Sequence, residues 1–410
     1  MSPPPAAAVV QSHWGMVALA MTTGIVAAIQ VGKVPPLIPL LQADLDMSLL
    51  AAGWLASLFN LTGALFGFLG GALADKLGPR RVMLTGLGGF AVAGLAGAFA
   101  TDAVWLLSLR TLESATILAC TVTAPRLIMA ATTPRHRNLA MGAWGSWMPT
   151  GMALALLGAP YIALAFGWRG VWLIAAGLAL ATMVAVARLA PPQRWGEVPG
   201  QGAGQGPKLP WRDLAQTARR PGPILMGLCF ALYSIQFFAV ASWLPTYLIE
   251  VMAFTAAQAG VATAVVILGN ALGNLFSAYL LHRGASRWWL LVSAFVLMLI
   301  CAGGIFAPSV EIAWKLPLAF AFNFFGGLLP AACLAGTAVH APRPEMIGTV
   351  NGVVVQGAAI GSLAGPPAMA MMIAGFGGWS GTYWLMIICC FAGVCMAAWL
   401  GLIERRLGIA

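Results

Sequence analysis

Charged side chains are scarce in this sequence. They make up 8% of the 410 residues, with 11 acidic residues against 21 lysines and arginines. A soluble domain of ordinary composition carries about a quarter charged residues, so a soluble globular protein is excluded. Apolar residues reach 60% and the mean hydropathy is +0.89. The composition therefore indicates an all-α polytopic membrane protein.

Residues that hold metals or perform covalent catalysis are also few. The four histidines form no cluster with acidic residues, and the seven cysteines all fall inside hydrophobic runs without metal-ligand spacing. Cysteines in such positions are typical of small packing residues rather than of disulfides or zinc ligands. The sequence thus predicts no catalytic residues, no metal site and no cofactor, and it indicates that the protein is not an enzyme.

Long hydrophobic runs dominate what is present. A helix that crosses a bilayer needs roughly 20 mainly apolar residues. Twelve runs of about this length are predicted, at 14–40, 49–73, 82–100, 103–130, 139–166, 170–190, 223–249, 256–281, 288–306, 312–338, 346–374 and 380–403. We therefore expect twelve transmembrane helices.

Basic residues are unevenly distributed between the segments that join these runs. If the N-terminus lies inside the cell, sixteen lysines and arginines fall on the cytoplasmic side, and the outer side holds Arg169 and Lys315. Short cytoplasmic loops of membrane proteins carry such an excess. It accounts for the formal net charge of +10 without a nucleic-acid partner. Both termini are expected in the cytoplasm and the protein in the cell inner membrane.

One long polar segment divides the chain near its middle. Residues 191–222, PPQRWGEVPGQGAGQGPKLPWRDLAQTARRPG, are rich in proline, glycine and charge, which is typical of a linker. The sequence therefore predicts an N-terminal six-helix bundle at 1–190, a cytoplasmic linker at 191–221 and a C-terminal six-helix bundle at 222–410.

The two predicted bundles repeat each other. Shifts of 206 to 211 residues superpose several pairs, among them Ser48 and Thr255, Gly53 and Gly260, Gly78 and Gly284, and Trp168 and Trp379. Parallel repeats place a substrate site between the bundles, near the middle of the membrane. Small residues also recur every four positions, which indicates close helix packing, at Gly63-Gly67-Gly71, Gly269-Gly273-Ser277 and Gly357-Gly361-Gly365.

Residues 70–81, GGALADKLGPRR, crowd four charges and three glycines between two hydrophobic runs. This segment resembles the loop between helices two and three of the major facilitator superfamily, with the pattern Gly-x-Leu-Ala-Asp-Arg-x-Gly-Arg-Arg/Lys. The resemblance implies two pseudo-symmetric six-helix bundles, small-residue stripes on the seam between them, and a cytoplasmic latch formed by Gly71, Asp75, Gly78, Arg80 and Arg81. A loop that only holds positive charge inside is the alternative interpretation.

Three ionisable residues lie at one level within the predicted membrane helices. Lys33 is about 12 Å from the outer end of its run, at 1.5 Å per residue, and Arg110 and Glu113 lie at a similar depth. A spacing of three places Arg110 and Glu113 on one helix face, where they can pair, and Lys33 is then expected to remain uncompensated. Such groups are functional candidates because they are costly in a bilayer.

We interpret Lys33 and Arg110 as groups that attract an anionic substrate, and Glu113 as a group that gains and loses a proton. The alternatives are a Lys33 that reaches the outer headgroups and a structural Arg110–Glu113 pair. Further substrate-binding candidates are neutral polar and aromatic residues on the predicted helices, namely Gln30, Trp144, Trp147, Tyr233, Gln236, Asn323, Asn351 and Gln356.

The sequence therefore predicts a secondary active transporter that moves a small, carboxylate-like organic anion by alternating access, in symport with protons. Residues 141–154, MGAWGSWMPTGMAL, together with FGWRGVW at 166–172, resemble the cyanate/nitroimidazole-type cluster of the superfamily, which also implies small anionic or nitro-bearing solutes. A proton-coupled exporter of amphipathic compounds and a non-transporting membrane sensor or enzyme are the alternatives. The expected partners are the substrate, protons and the lipid bilayer, for a monomeric protein.

Overall fold

Helices account for all the regular structure in the described part of the chain. The computed structural model describes residues 11–66, 78–190, 216–307, 309–343 and 346–408. The α-helices are α1 (Trp14–Gly32), α2 (Ile38–Leu45), α3 (Leu49–Ser57), α4 (Pro79–Ala98), α5 (Ala103–Ala131), α6 (Pro134–Trp144), α7 (Trp147–Leu189), α8 (Pro221–Met252), α9 (Ala256–His282), α10 (Arg287–Phe306), α11 (Ile312–Gly326), α12 (Leu328–His340), α13 (Ile347–Gly375) and α14 (Thr382–Arg406). Short 3-10 turns occupy Pro35–Leu37, Leu58–Asn60 and Trp379–Gly381.

Eleven helical stretches within these ranges are long and apolar enough to cross a membrane. The longest, α7, has 43 residues, about 65 Å at 1.5 Å per residue, which is twice a bilayer core. Gly167 interrupts it with a φ of 66° and a ψ of 175°, a conformation that glycine adopts without strain. The chain reverses there, so α7 supplies two spans. The predicted all-α polytopic fold is confirmed.

Local side-chain caps fix where several helices begin. The Ser48 side chain accepts a hydrogen bond from the Ala51 amide at the start of α3. Thr255 does the same for the Gln258 amide at the start of α9, where the Gln258 side chain completes a capping box. These bonds satisfy amides that have no partner within the helix. Ser48 and Thr255 are a pair that the sequence repeat superposes, so both halves make the same turn.

We call residues 11–190 the first half and residues 216–408 the second half. An even number of spans places the start of α1 and the end of α14 on one face, the terminal face, and the opposite face is the distal face. The predicted linker lies largely outside the described residues, which resume at residue 216. Contacts between the halves join α3 to α13 and α7 to α9.

Two glycines related by the repeat allow these contacts near the distal face. A β-carbon added to Gly53 would lie 2.9 Å from the Cα atom of Pro367 on α13. One added to Gly260 would overlap the Leu156 carbonyl oxygen on α7 and lie 3.2 Å from Pro160 Cγ. Only a residue without a side chain permits such close approach of two helices. The distal ends of the two halves are therefore in contact.

The small-residue stripes of α9 and α13 pack within the second half and not on the seam between the halves, where they were expected. On α13 each stripe glycine faces a carbonyl oxygen of α8 within the same half, and those carbonyls belong to Gly227, Ala231 and Ile235. On α9 the stripe packs against α11, where Gly269 meets Phe320. Gly63 alone, among the described stripe residues, faces the other half, with Ala359 at 3.5 Å. The expectation that these faces form the seam is wrong for α9 and α13, because small residues also permit close packing within a bundle.

We predict that Gly53→Ala weakens the distal contact between the halves. The new methyl group overpacks against the Pro367 backbone, which costs roughly 1–3 kcal/mol. Faster hydrogen–deuterium exchange in peptides around 366–367 and a lower melting temperature measure this effect. Gly63→Ala is the matched control, since its methyl group has ordinary contact distance to Ala359. Equal exchange in the two variants would contradict the prediction.

Candidate functional site

A buried ion cluster lies where α1 ends. Lys33 Nζ is 2.9 Å from Glu113 Oε1, and Arg110 Nη1 bonds the other carboxylate oxygen, Oε2. The predicted pairing of Arg110 with Glu113 is confirmed, but the expectation that Lys33 stays uncompensated is wrong. The side chains of Lys33, Arg110 and Glu113 are 0%, 2% and 3% exposed. The alternative in which Lys33 reaches the outer headgroups is thereby excluded.

The end of α1 before Pro35 places Lys33 in this cluster. Proline cannot continue the hydrogen-bonding ladder of a helix, and α1 ends at Gly32, three residues before the first proline of the Pro35–Leu37 turn. Lys33 caps the helix with a bond from its amide to the Ile29 carbonyl. The C-terminal end of a helix favours a positive charge, so the position itself contributes to holding the ammonium group.

Hydrogen bonds from four helices hold the cluster in place. Gln30 Oε1 accepts from Lys33 Nζ at 2.7 Å, while Gln30 Nε2 donates to the Ala175 carbonyl of α7 at 3.1 Å. Arg110 Nε donates to the Leu55 carbonyl of α3 at 3.0 Å, and Arg110 Nη1 donates to the Gln30 carbonyl at 2.7 Å. Gln30 is therefore a structural partner of the cations, positioned by α7.

Two aromatic rings complete the surroundings. Lys33 Nζ lies 4.7 Å from the centre of the Trp172 ring, and Arg110 Cζ lies 5.7 Å from that of Phe59. A cation within about 6 Å of a ring face is attracted to it. Phe59 in turn lies 5.7 Å from Phe238 of α8. The cluster in the first half thus connects through one ring to the second half.

The counterpart in the second half is neutral. Tyr233 Oη accepts from Asn270 Nδ2 at 2.8 Å, and the same amide donates to the Asn323 carbonyl at 3.1 Å. Phe230 and Phe237 lie on either side of the tyrosine ring at 5.9 and 5.8 Å. Asn323 Oδ1 is buried and has no hydrogen-bond partner within the described ranges. Tyr233 and Asn323 are therefore brought together.

The other predicted amides lie elsewhere. Gln236 donates to the Leu232 carbonyl at 3.1 Å and accepts from Cys390 Sγ of α14 at 3.1 Å, so it faces the interior of the second half. Gln356 Nε2 crosses to the first half and donates to the Ala64 carbonyl at 2.9 Å. Asn351 is exposed on α13.

Two tryptophans form a stacked pair on the side of α1 nearer the terminal face. The rings of Trp144 and Trp147 are 5.4 Å apart with an angle of 17° between their planes. Gly24 of α1 allows this approach, because a β-carbon there would lie 2.6 Å from the Trp144 ring. Trp144 is buried and Trp147 is half-buried. The structure therefore separates this pair from the ion cluster along α1.

Comparison with known proteins shows the family to which this chain belongs. The sequence model of the Major Facilitator Superfamily matches residues 19–366. The chain belongs to the Major Facilitator Superfamily. Its described helices are those of a multi-pass membrane protein, as the resemblance of residues 70–81 implied.

Relatives within the superfamily are distant. The uncharacterized MFS-type transporter YceJ of Bacillus subtilis is 29% identical over 249 residues, which cover 59% of this chain and 60% of the relative. The chain thus spans less than two thirds of that relative. The methylenomycin A resistance protein of Streptomyces coelicolor is 25% identical over 417 residues, which cover 89% of this chain and 87% of the relative.

A solved structure shares the fold. It is the crystal structure of a bacterial homolog of the human lysosomal transporter Spinster, in an inward-facing and unoccupied conformation. The TM-score is 0.78 with 17% sequence identity, and the match covers 96% of this chain and 97% of the other. The likeness establishes that the two chains have the same helical architecture.

The predicted latch of the transporter is described only in part. Gly71 and Asp75 lie outside the described residues. Gly78 precedes α4 with a φ of 85°, which suits the tight turn expected of it. Arg80 donates to the Ala190 and Ala187 carbonyls at 3.0 and 2.8 Å, so within the described residues it caps α7 in its own half. Arg81 is exposed, and its role in a latch stays a prediction.

Sequence reasoning missed the aromatic residues of the site. Trp172 and Phe59 contact the two cations, but a chain with 16 tryptophans and 19 phenylalanines offers no pattern that separates them from packing residues. It also omitted the Leu55 and Ala175 carbonyls, which any residue type supplies.

We predict that Glu113→Gln destabilises the transporter by roughly 3–5 kcal/mol, because it leaves two buried cations without an anion. Thermal unfolding of the purified protein measures the loss. Asp44→Asn is the matched control. Asp44 pairs with Arg169 at 2.7 Å, but both side chains are 44% exposed, and exposed pairs contribute about 1 kcal/mol or less. Similar losses in both variants would rule out a dominant role for burial.

Proposed function

We propose that this transporter exports amphipathic, ring-containing organic compounds in exchange for protons. The observation that carries the proposal is the engagement of both expected anion-binding groups. Lys33 and Arg110 share the Glu113 carboxylate and are almost fully buried. Among the described residues, the candidates left to recognise a substrate near the middle of the membrane are then neutral amides and aromatic rings.

Aromatic surfaces on both halves favour this substrate class. The Trp144–Trp147 stack of the first half and the Phe230–Tyr233–Phe237 row of the second are clusters of aromatic rings, in which Trp147 and Phe230 are half-buried and the other rings are buried. Small-molecule sites in proteins are commonly lined by such residues, with a few polar groups for orientation. We assign Asn270, Asn323 and Asn351 to that orienting role. The methylenomycin A resistance protein, a relative of this chain, is named for resistance to an antibiotic.

Alternating access is the mechanism that we propose. Contacts of Gly53 with Pro367 and of Gly260 with Leu156 hold the distal ends of the halves together. We therefore assign this conformation to a state that exchanges substrate at the terminal face. If that face is cytoplasmic, as the distribution of basic residues predicts, the transporter loads its substrate from the cytoplasm in this state.

Uptake of an organic anion is the second candidate, and two features of the ion cluster favour it. Arg110 Nη2 is buried without a hydrogen-bond partner in the described structure, and the cluster of two cations and one anion has a net charge of +1. A substrate carboxylate that reached Arg110 would accept a hydrogen bond from Nη2 and would neutralise the excess positive charge. Access to Arg110 requires movement of Phe59, whose ring lies beside the guanidinium.

Proteoliposomes with an imposed pH gradient distinguish the two candidates. We expect the transporter to move ethidium, an aromatic compound, against its gradient when protons flow the opposite way, and not to move glucuronate. Fluorescence follows ethidium, and a radiolabel follows glucuronate. Protein-free liposomes provide the control for leakage. Gradient-driven accumulation of glucuronate without ethidium transport would reject export in favour of anion uptake.

We predict that Trp147→Ala reduces ethidium transport at least fivefold through a higher KM, because the stacked pair loses its half-buried ring. Trp399→Ala is the matched control, since Trp399 is 54% exposed on the outside of α14. Initial rates at several ethidium concentrations separate KM from the maximal rate. Unchanged kinetics in Trp147→Ala would remove the pair from the substrate site.

A further inference from the structure

We infer that Lys33, rather than Glu113, carries the coupled proton. In this mechanism the Lys33 ammonium group releases a proton to become a neutral amine in one conformation and is protonated again in the other. The inference rests on the proposed proton-coupled transport, and it replaces the carboxylate of our sequence-based hypothesis by its lysine partner.

The net charge of the Lys33–Arg110–Glu113 cluster favours Lys33 as the group that releases the proton. With Lys33 and Arg110 protonated and Glu113 ionised, the buried cluster carries +1. Protonation of Glu113 would raise this to +2 and leave two cations sharing no anion, which burial strongly disfavours. Arginine does not lose its proton in proteins. Loss of a proton from Lys33 is the single titration step that makes the cluster neutral.

The surroundings of Lys33 supply no further charge in the described structure. The charged groups that face it are Glu113 and Arg110, both on α5. The Gln30 side chain is neutral, and α7 presents the Trp172 ring and the Ala175 carbonyl. Once Lys33 is neutral, the Glu113 carboxylate still has Arg110 as its ion-pair partner. The negative charge of Glu113 thus has a positive partner in both states. Lys33 away from Glu113 has no anionic partner and is therefore present as the neutral amine.

A cavity beside Lys33 gives the amine a place to move. This cavity of about 200 Å³ lies between α1 and α7, with Ile29, Lys33, Ala155, Val171 and Ile174 in its lining. Lys33 is the charged group among the described residues that line it. An ammonium group in this apolar space would lose its hydrogen bonds at a high cost, but a neutral amine enters it readily. The protonated Lys33 side chain is therefore held by Glu113 of α5, and the neutral side chain is free to lie along α7.

This change of partner connects the proton to the movement of the halves. Protonated Lys33 ties α1 to α5 through Glu113, and neutral Lys33 releases α1 from that contact. Arg110, which shares Glu113 with Lys33, lies beside Phe59, and Phe59 meets Phe238 of the second half. The proton leaves to water on one side of the membrane and returns from water on the other, so one proton is moved in each cycle.

Reductive methylation of the full-length protein in detergent tests for the neutral amine. Formaldehyde and dimethylamine–borane modify only unprotonated amines, and peptide mass spectrometry reports Lys33 and Lys208 separately. An ordinary lysine, with its pKa near 10.4, has a neutral fraction that rises about tenfold per pH unit below pH 9. We expect this rise, about a hundredfold between pH 7 and pH 9, for Lys208 of the predicted linker. For Lys33 we expect labelling at pH 7 and a rise of less than tenfold.

Transport variants test the coupling. Lys33→Arg keeps a cation beside Glu113 that never releases its proton. We expect it to lose at least tenfold of the ethidium movement driven by a pH gradient, while ethidium exchange without a gradient stays within threefold of the wild type. Lys315→Arg is the matched control. Lys315 is also a buried lysine, but it donates to the Ile305 and Ala307 carbonyls away from the cluster, and we expect both activities to persist.

The outcomes separate the two proposals. A Lys33 that is unlabelled, or whose labelling follows Lys208, overturns the inference, as does Lys33→Arg protein with wild-type gradient-driven transport. Wild-type protein that moves neither ethidium nor glucuronate rejects the proposed function. The labelling result needs no transport and still decides whether Lys33 forms a neutral amine, including when Lys33→Arg fails to fold.

Discussion

The sharing of one buried carboxylate by two cations is the constraint on which the first half depends. Glu113 binds Lys33 at the end of α1 and Arg110 on its own helix, and the cations reach α3 and α7 through Arg110 and Gln30. Burying these charges is tolerable only because each has a partner of opposite sign or a carbonyl. Four helices are thereby fixed around a point that holds one positive charge in excess.

The two halves share a tryptophan–carboxylate hydrogen bond at the distal face and differ in the membrane interior. At the distal face Trp168 donates its indole hydrogen to Asp44 at 2.8 Å, and Trp379 donates to Glu250 at 2.9 Å. Each bond ties the end of one span to the start of another in the same half. The halves differ at the membrane interior, where the first is ionic and the second, around Tyr233, is neutral. This asymmetry places charged groups in the interior of the first half and neutral polar and aromatic groups in the interior of the second.

Conformational change requires contacts that separate without breaking strong bonds. The distal contact between the halves includes glycine and proline surfaces, at Gly53 with Pro367 and at Gly260 with Pro160. Gln356 adds a hydrogen bond to the Ala64 carbonyl. Separating these surfaces would cost dispersion energy without breaking an ion pair at these contacts, whereas the ion cluster lies within one half.

The sequence by itself determined the membrane class, the twelve spans and the pairing of Arg110 with Glu113, because hydropathy and helical spacing are local properties. It also located the repeat-related glycines, although not their partners. Only the tertiary structure decided that Lys33 completes the cluster, that Gln236 faces α14 and that the α13 glycines face α8. Those outcomes depend on the rotation of each helix about its own axis. Rotation is set by contacts with residues far away in the chain, and no periodicity within a single hydrophobic run records it.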